Sequence, residues 1–111
     1  MLANTPDEQT LAKAAGLLDV MSNEKRLIIL SLIINNEISV GLLAAEVGLS
    51  QSALSQHLQK LRLAKLVHCR RVAQTIYYSC ASSEVAQVLK VLEAIFTEDT
   101  DHECGGDQLS S

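Results

Sequence analysis

A single glycine constrains the fold of this chain more than any other residue, because it separates two short helical segments. The residues from Ser39 to Val47 predict a short helix, Gly48 permits a tight turn, and Ser50 is a typical N-cap of a further helix. The apolar positions of that further helix lie on one face: Leu54, Leu58 and Leu61. Two helices joined by a short glycine-containing turn indicate a helix-turn-helix motif.

Other helices are predicted on both sides of this motif. The spacing of apolar residues between Pro6 and Met21 predicts an amphipathic first helix. A second helix is expected to begin with Ser22 as its N-cap. Its apolar stretch from Leu27 to Ile34 could equally form a buried strand, but the cap and the preceding helix favour a buried central helix. A final helix is predicted from Ser83 to about Thr97.

Two β-strands are predicted between the helix-turn-helix and the final helix. β-Branched and aromatic residues gather in Leu66 to Arg71 and in Thr75 to Cys80, and Val72 to Gln74 joins the two strands. The predicted fold is mainly α with a small β-hairpin wing, in the order α-α-α-α-β-β-α, which is a winged helix-turn-helix. We expect it to span residues 1–97, followed by an acidic flexible tail at residues 98–111.

The composition of the chain argues against several other classes of protein. With 111 residues, 48% of them apolar, the chain is large enough for one packed domain. Its longest apolar stretch is much shorter than the roughly 20 residues that span a bilayer, and no secretory signal is visible at its amino terminus. Three cysteines without the spacing of a metal site disfavour a secreted disulfide scaffold. We therefore expect a cytoplasmic protein without a membrane partner.

The distribution of charge favours a polyanionic partner, although the net charge is −4. No acidic residue occurs between Gly48 and Ser83, which is unusual in a chain with 13 acidic residues. The polar face of the second helix of the motif suits the major groove of double-stranded DNA, where amide and hydroxyl groups pair with base edges. We expect base contacts from Gln51, Ser52, Ser55 and Gln56, phosphate contacts from Lys60 and Arg62, and wing contacts from Arg70, Arg71 and Gln74.

Four separated blocks of the sequence form one recognisable pattern: Met21 to Leu27, Leu49 to Leu58, Leu61 with Arg62, and Arg70 to Tyr78. In this order the blocks resemble the ArsR family of bacterial winged-helix repressors, and the resemblance covers most of the chain. Within the family the chain is most similar to the nodulation-regulator and biofilm-repressor subgroup. The resemblance implies a homodimer that represses transcription at near-palindromic operators.

The resemblance also implies that the first and last helices pair between two protomers. In agreement, both predicted helices have apolar stripes wider than a small monomer needs to cover. The expected interface residues are Leu11, Ala14, Ala15 and Leu18 on the first helix and Val88, Leu92 and Ile95 on the last.

The sensor sites of the family are not found in this sequence. Arsenic- and cadmium-responsive members carry a Cys-x-Cys motif where this chain has Ser39 to Leu42. The zinc-responsive type needs histidine on the last helix, and the predicted helix from Ser83 to Thr97 has none. Thiol-sensing members carry one cysteine on the second helix and one on the last, and in this chain Ser31 and Thr97 occupy those two positions. We therefore expect no metal and no other cofactor.

The cysteines leave a thiol-responsive repressor open as an alternative. In a hairpin with Arg71 opposite Ile76, Cys69 and Cys80 would be diagonal neighbours about 7–8 Å apart at Cα. This distance is too long for a disulfide, although a slip of the register would change it. Cys104 lies in the expected tail, beside residues that could at most bind a metal weakly.

Two other functions compete with that of a DNA-binding regulator. A winged-helix protein-interaction module would suit the acidic ends of the chain and would show no salt-dependent binding to duplex DNA. An enzyme is disfavoured, because the sequence has no nucleophile–base arrangement, phosphate-binding glycine loop or cluster of metal ligands. His57 lies beside the apolar face of the second motif helix, so we expect a hydrogen-bonded structural residue there rather than a base reader.

Overall fold

A computed structural model describes residues 5–97 of the chain. The helices are α1 (Glu8–Met21), α2 (Glu24–Ile33), α3 (Val40–Val47), α4 (Gln51–Leu63) and α5 (Ser83–Thr97), and the strands are β1 (Ile38–Ser39), β2 (His68–Val72) and β3 (Thr75–Ser79). Two units are distinguished: the first ends at Ala81, and the second begins at Ser82 and contains α5. The predicted winged helix-turn-helix is confirmed, with one additional strand. The predicted tail at residues 98–111, with Cys104, lies outside the described residues.

Polar side chains at the N-caps set where the helices begin. The Asp7 carboxylate accepts a hydrogen bond from the Thr10 amide at 2.8 Å and so begins α1. The N-cap of α2 is Asn23, whose side chain accepts from the Arg26 amide at 3.1 Å. The prediction of Ser22 as this cap was therefore wrong by one residue. Ser22 instead ends α1, since its amide and its hydroxyl both donate to the Asp19 carbonyl.

The core of the first unit is built around α2. Ile29, Leu30 and Ile33 of this helix have no exposed surface, which confirms a buried central helix rather than a strand. Burying side chains of this size stabilises a fold by about 1.5–3 kcal/mol each. The same core takes Leu43 and Val47 from α3. It also takes the three leucines of α4: Leu54, Leu58 and Leu61.

The strands form one antiparallel sheet in the order β1-β3-β2. In the hairpin Arg71 lies opposite Ile76, which confirms the register expected from the sequence. The connecting turn contains two residues, not three, because Val72 pairs with Thr75. Strand β1 was not predicted, since two residues are too few to produce a detectable alternation of apolar and polar side chains.

Helix α5, in the second unit, has the bounds that the sequence predicted. The Ser82 hydroxyl accepts a hydrogen bond from the Val85 amide at 3.2 Å and so helps to begin the helix. Val85 is buried. Three large apolar side chains of α5 are exposed by half or more: Val91, Ile95 and Phe96.

Candidate nucleic-acid interface

The turn between α3 and α4 determines how α4 is presented. Gly48 adopts the left-handed conformation, with φ at 79°, and its amide donates to the Ala44 carbonyl at 2.9 Å. This conformation favours glycine because it has no Cβ. Two residues later the Ser50 hydroxyl accepts from the Ala53 amide at 3.2 Å and begins α4. Its buried leucines then hold one side of α4 in the core, so that the opposite side faces solvent.

The exposed face of α4 carries polar and basic side chains and no carboxylate. All its members are exposed, and at 100° per residue they spread over about 180° of the helix. They are Gln51, Ser52, Ser55, Gln56, Gln59, Lys60 and Arg62. Across residues 5–97, none of these side chains forms an ion pair, and only Ser52 forms a hydrogen bond, at 3.4 Å to the Ser50 hydroxyl. The structure therefore leaves their donors, acceptors and charges available to a ligand.

The two wing arginines have different surroundings. Arg70 lies opposite Tyr77, and its guanidinium is 5.6 Å from the centre of that ring. It also donates two hydrogen bonds to Glu37, from Nε to Oε2 at 2.8 Å and from Nη2 to Oε1 at 2.6 Å. Arg71 points to the other face of the hairpin, is exposed, and makes no hydrogen bond or ion pair within the described part of the chain. Of the two arginines, Arg71 is the one whose charge is not balanced by a carboxylate within the described part of the chain.

The Glu37–Arg70 pair changes the acid–base properties of both residues. Hydrogen bonds from Arg70 lower the pKa of the Glu37 carboxyl, and the same bonds raise the pKa of Arg70. The pair therefore stays ionised at neutral pH, and the charge of Arg70 is largely balanced by its own chain. Glu37 lies next to β1 and 33 positions before Arg70, and the sequence analysis had assigned it no role.

Gln74 and His57 were also singled out from the sequence. Gln74 is exposed in the two-residue turn at the tip of the wing, after Ala73, whose φ is 56°. His57 is half-buried, and its Nδ1 lies 3.2 Å from Nη1 of Arg26. The expectation of a hydrogen-bonded histidine is therefore confirmed. Burial lowers the pKa of His57, and the charge of Arg26 lowers it further.

Helix α1 exposes the apolar side chains that were expected to meet a second protomer. Leu11 is 50% exposed and Leu18 is 54% exposed, and Ala14 and Ala15 between them are exposed as well. The one buried residue of this helix is Met21. The face of α1 that carries these four side chains is thus apolar and exposed.

Helix α5 has a comparable apolar stripe. Of its expected interface residues, Val88 and Leu92 are half-buried and Ile95 is 51% exposed. Phe96, at 67%, and Val91, at 57%, are more exposed still. Val91 was not among the predicted interface residues.

The residues that could bind a metal or react as thiols were located in residues 5–97. No three histidine, cysteine, aspartate or glutamate side chains come together there in a way that could hold a metal ion. Cys69 is exposed on β2, whereas Cys80 is buried, and its amide donates to the Ile33 carbonyl at 3.0 Å. None of the helices in this range is long and apolar enough to cross a membrane.

A helix-turn-helix followed by a β-hairpin defines the class of winged helix-turn-helix domains. Residues 23–68 match the family described as "Bacterial regulatory protein, arsR family". The nodulation protein NolR of Rhizobium meliloti is 57% identical over 88 residues, which are 79% of this chain and 72% of NolR. The transcriptional activator HlyU of Vibrio cholerae is 46% identical over 91 residues, which are 82% of this chain and 84% of HlyU. The chain belongs to the arsR family and is a transcriptional regulator.

Solved structures agree with this assignment. The transcriptional repressor BigR from Xylella fastidiosa has a TM-score of 0.76 at 34% identity, over 80% of this chain and 91% of the BigR chain. A homodimeric winged helix-turn-helix DNA-binding domain from Mycobacterium bovis has a TM-score of 0.74 at 27% identity, over 93% of this chain and 98% of that one. The fold is therefore shared with regulators that differ considerably in sequence.

Proposed function

We propose that this regulator is a homodimeric repressor that binds a near-palindromic operator in double-stranded DNA in the bacterial cytoplasm. The observation that carries the proposal is the exposed face of α4, which offers amides, hydroxyls and basic groups but no carboxylate. A carboxylate on this face would be repelled by phosphate, whereas the groups present match base edges and phosphates. The names of the arsR-family relatives, which are regulators rather than enzymes, support the same function.

Base recognition is assigned to the first two turns of α4. The amino-terminal part of a recognition helix enters deepest into the major groove, and here it carries the polar side chains Gln51, Ser52, Ser55 and Gln56. A glutamine amide can pair with both N6 and N7 of adenine, which is worth about 1–3 kcal/mol of discrimination against other bases. Gln56 is the residue to which we assign the largest share of the sequence preference.

Phosphate contacts are assigned to the end of α4 and to the wing. Lys60 and Arg62 lie in the last turns of the helix with no ion pair in residues 5–97, so their charges can displace counterions from DNA. In the wing, Arg71 takes the same role, and Gln74 offers a neutral amide donor to a phosphate oxygen. Arg70 was predicted as a further contact, but its bonds to Glu37 make it the weaker candidate.

A second copy of the chain is proposed to cover the apolar faces of α1 and α5. These helices expose leucine, alanine and isoleucine side chains. Exposing such apolar area to water is unfavourable, and burying it in an interface is favourable. A two-fold dimer places two recognition helices about one helical turn of DNA apart, and a near-palindromic operator mirrors that symmetry. Residues 1–97 would then act as the DNA-binding and dimerisation domain.

Repression would follow from competition for the promoter. A dimer seated in two successive major grooves covers DNA that the polymerase needs. The similar chain HlyU is named as a transcriptional activator, so the direction of control needs a test of its own. Transcription in vitro from a promoter that contains the selected site tests repression directly.

Selection of bound duplexes from a random pool, followed by binding assays on the selected duplex and a shuffled one, tests DNA recognition. We expect Gln56→Ala to reduce the preference for the selected duplex by about 1–3 kcal/mol per half-site. Gln9→Ala is the matched control, because Gln9 is an exposed glutamine on α1. An unchanged preference in Gln56→Ala would refute the assignment of base reading.

The same assays separate the alternative functions. A protein-interaction module would bind no duplex selectively and would show no dependence on salt. A thiol-responsive repressor would lose DNA binding on oxidation and would keep it when Cys69, Cys80 and Cys104 are replaced by serine. We expect the wild-type protein and the serine variant to respond alike to oxidant.

A further inference from the structure

One arginine outside the DNA-binding face connects α4 to another helix. Arg26, in the first turn of α2, donates from Nε to the Val20 carbonyl in the last turn of α1. Its Nη1 lies 3.2 Å from Nδ1 of His57, at the middle of α4. The guanidinium therefore bridges the end of α1 and the helix that carries Gln56, the residue immediately before His57.

The chemistry of the two groups defines the protonation state of this bridge. A guanidinium donates hydrogen bonds and cannot accept them, so Nδ1 of His57 has to be the acceptor. Only a neutral imidazole with its proton on Nε2 has a lone pair on Nδ1. Protonation of His57 would remove the acceptor and place two positive charges side by side. The bridge thus exists in one of the two charge states of His57.

The surroundings of His57 favour that neutral state. Burial lowers its pKa, and the charge of Arg26 lowers it further. On the helices near this site, Lys25 donates to the Val47 carbonyl at 3.4 Å. The acidic residues of α1, α2 and α3 are exposed and form no ion pair in residues 5–97, and they are Glu8, Asp19, Glu24 and Glu46. At neutral pH the imidazole is therefore uncharged.

We propose that Arg26 is a positioning residue for sequence recognition, which holds α4 in a fixed orientation relative to α1 through the neutral imidazole of His57. The inference rests on the proposed function, in which α1 joins the protomers and α4 reads the bases. Two recognition helices must fit two grooves at once, so a fixed angle between α1 and α4 improves binding to the correct site. Non-specific binding by charge needs no such angle.

Binding to the selected duplex and to a shuffled duplex, measured against pH, tests the proposal. As the pH is lowered from about 7.5 to below the pKa that nitrogen NMR measures for His57, we expect the ratio of the two affinities to fall by roughly tenfold. The fall should come from weaker binding to the selected duplex alone. His57→Asn keeps an oxygen acceptor near the position of Nδ1 and does not titrate, so its ratio is expected to stay constant. A variant with His68 and His102 replaced by asparagine should behave as the wild type does.

Arg26→Gln removes the bridge directly. We expect it to lower the affinity ratio at about pH 7.5 by a similar roughly tenfold factor. Lys13→Gln, which removes one exposed positive charge from α1, should leave the ratio unchanged. Nitrogen NMR of the imidazole supplies a readout without DNA: the pKa of His57 should rise when Arg26 is replaced.

The outcomes separate the inference from the function on which it rests. A wild-type protein with no preference among duplexes would refute the proposed function, and the NMR titration would still test the Arg26–His57 bond. A wild-type preference that does not change while NMR shows His57 becoming protonated would overturn the positioning role, even if Arg26→Gln fails to fold. A preference that falls with pH equally in His57→Asn would also overturn it.

Discussion

Replacing Arg71 by alanine tests whether the wing binds phosphate through the arginine that the structure leaves unpaired. Arg71 is exposed and makes no ion pair in residues 5–97, whereas Arg70 donates two hydrogen bonds to Glu37. Removing Arg71 therefore removes a full uncompensated charge. Removing Arg70 alone would leave the Glu37 carboxylate unpaired, so the matched control is the double variant Glu37→Ala with Arg70→Ala, which removes two charges that balance each other.

The size of the effect follows from counterion release. Each phosphate neutralised on B-DNA contributes about −0.9 to the slope of log K against log salt concentration. A dimer carries two copies of Arg71, so Arg71→Ala should make the slope shallower by about 1.8. Between about 50 and 200 mM salt, the affinity advantage of the wild type over the variant should then shrink about twelvefold.

Fluorescence anisotropy with a labelled duplex, repeated over a series of salt concentrations, measures this slope. The loss should be equal for the selected and the shuffled duplex, because phosphate contacts carry no sequence information. The double variant Glu37→Ala with Arg70→Ala should change the slope by less than half as much. Equal slopes for wild type and Arg71→Ala, or a larger change in the double variant, would refute the reasoning.

Three further substitutions test the packing, the turn and the dimer. Leu58→Ala should lower the free energy of unfolding by about 2–5 kcal/mol, whereas Leu63→Ala on the same helix, at a position 73% exposed, should change it little in urea denaturation. Ala73→Gly should raise the free energy of unfolding by up to about 1 kcal/mol, because alanine is strained at a φ of 56°. Leu18→Glu should yield a monomer in sedimentation equilibrium, while Leu42→Glu, equally exposed at 54%, should leave a dimer.

The local features of the fold were the ones that the sequence could predict. The bounds of α5, the N-cap Ser50 and the opposition of Arg71 and Ile76 follow from neighbouring residues through cap chemistry and the spacing of apolar side chains. The same spacing predicted which face of α4 is exposed. These patterns repeat every two to four residues, so a single sequence contains them in full.

The interactions that were not predicted join residues far apart in the chain. Glu37 and Arg70 are separated by 33 positions, and Arg26 and His57 by 31. The sequence offers many possible pairs of polar and charged residues. Only the packing of α2 against α4 and of β1 against β3 determines that these two pairs form. The sequence analysis therefore predicted the outward face of α4 and a hydrogen bond at His57, but it identified neither Arg26 as the partner of His57 nor Glu37 as the partner of Arg70.

Helix α1 buries a single residue, Met21, out of its 14. Isolated helices of about this length are marginal in water, so most of the order of α1 must come from whatever covers its leucines. Folding of this helix and association of the chains would then be one equilibrium, governed by mass action. Dilution should accordingly lower both the helical signal in circular dichroism and the melting temperature. In the cell, the folded and dimeric fraction of such a regulator would rise with its own concentration.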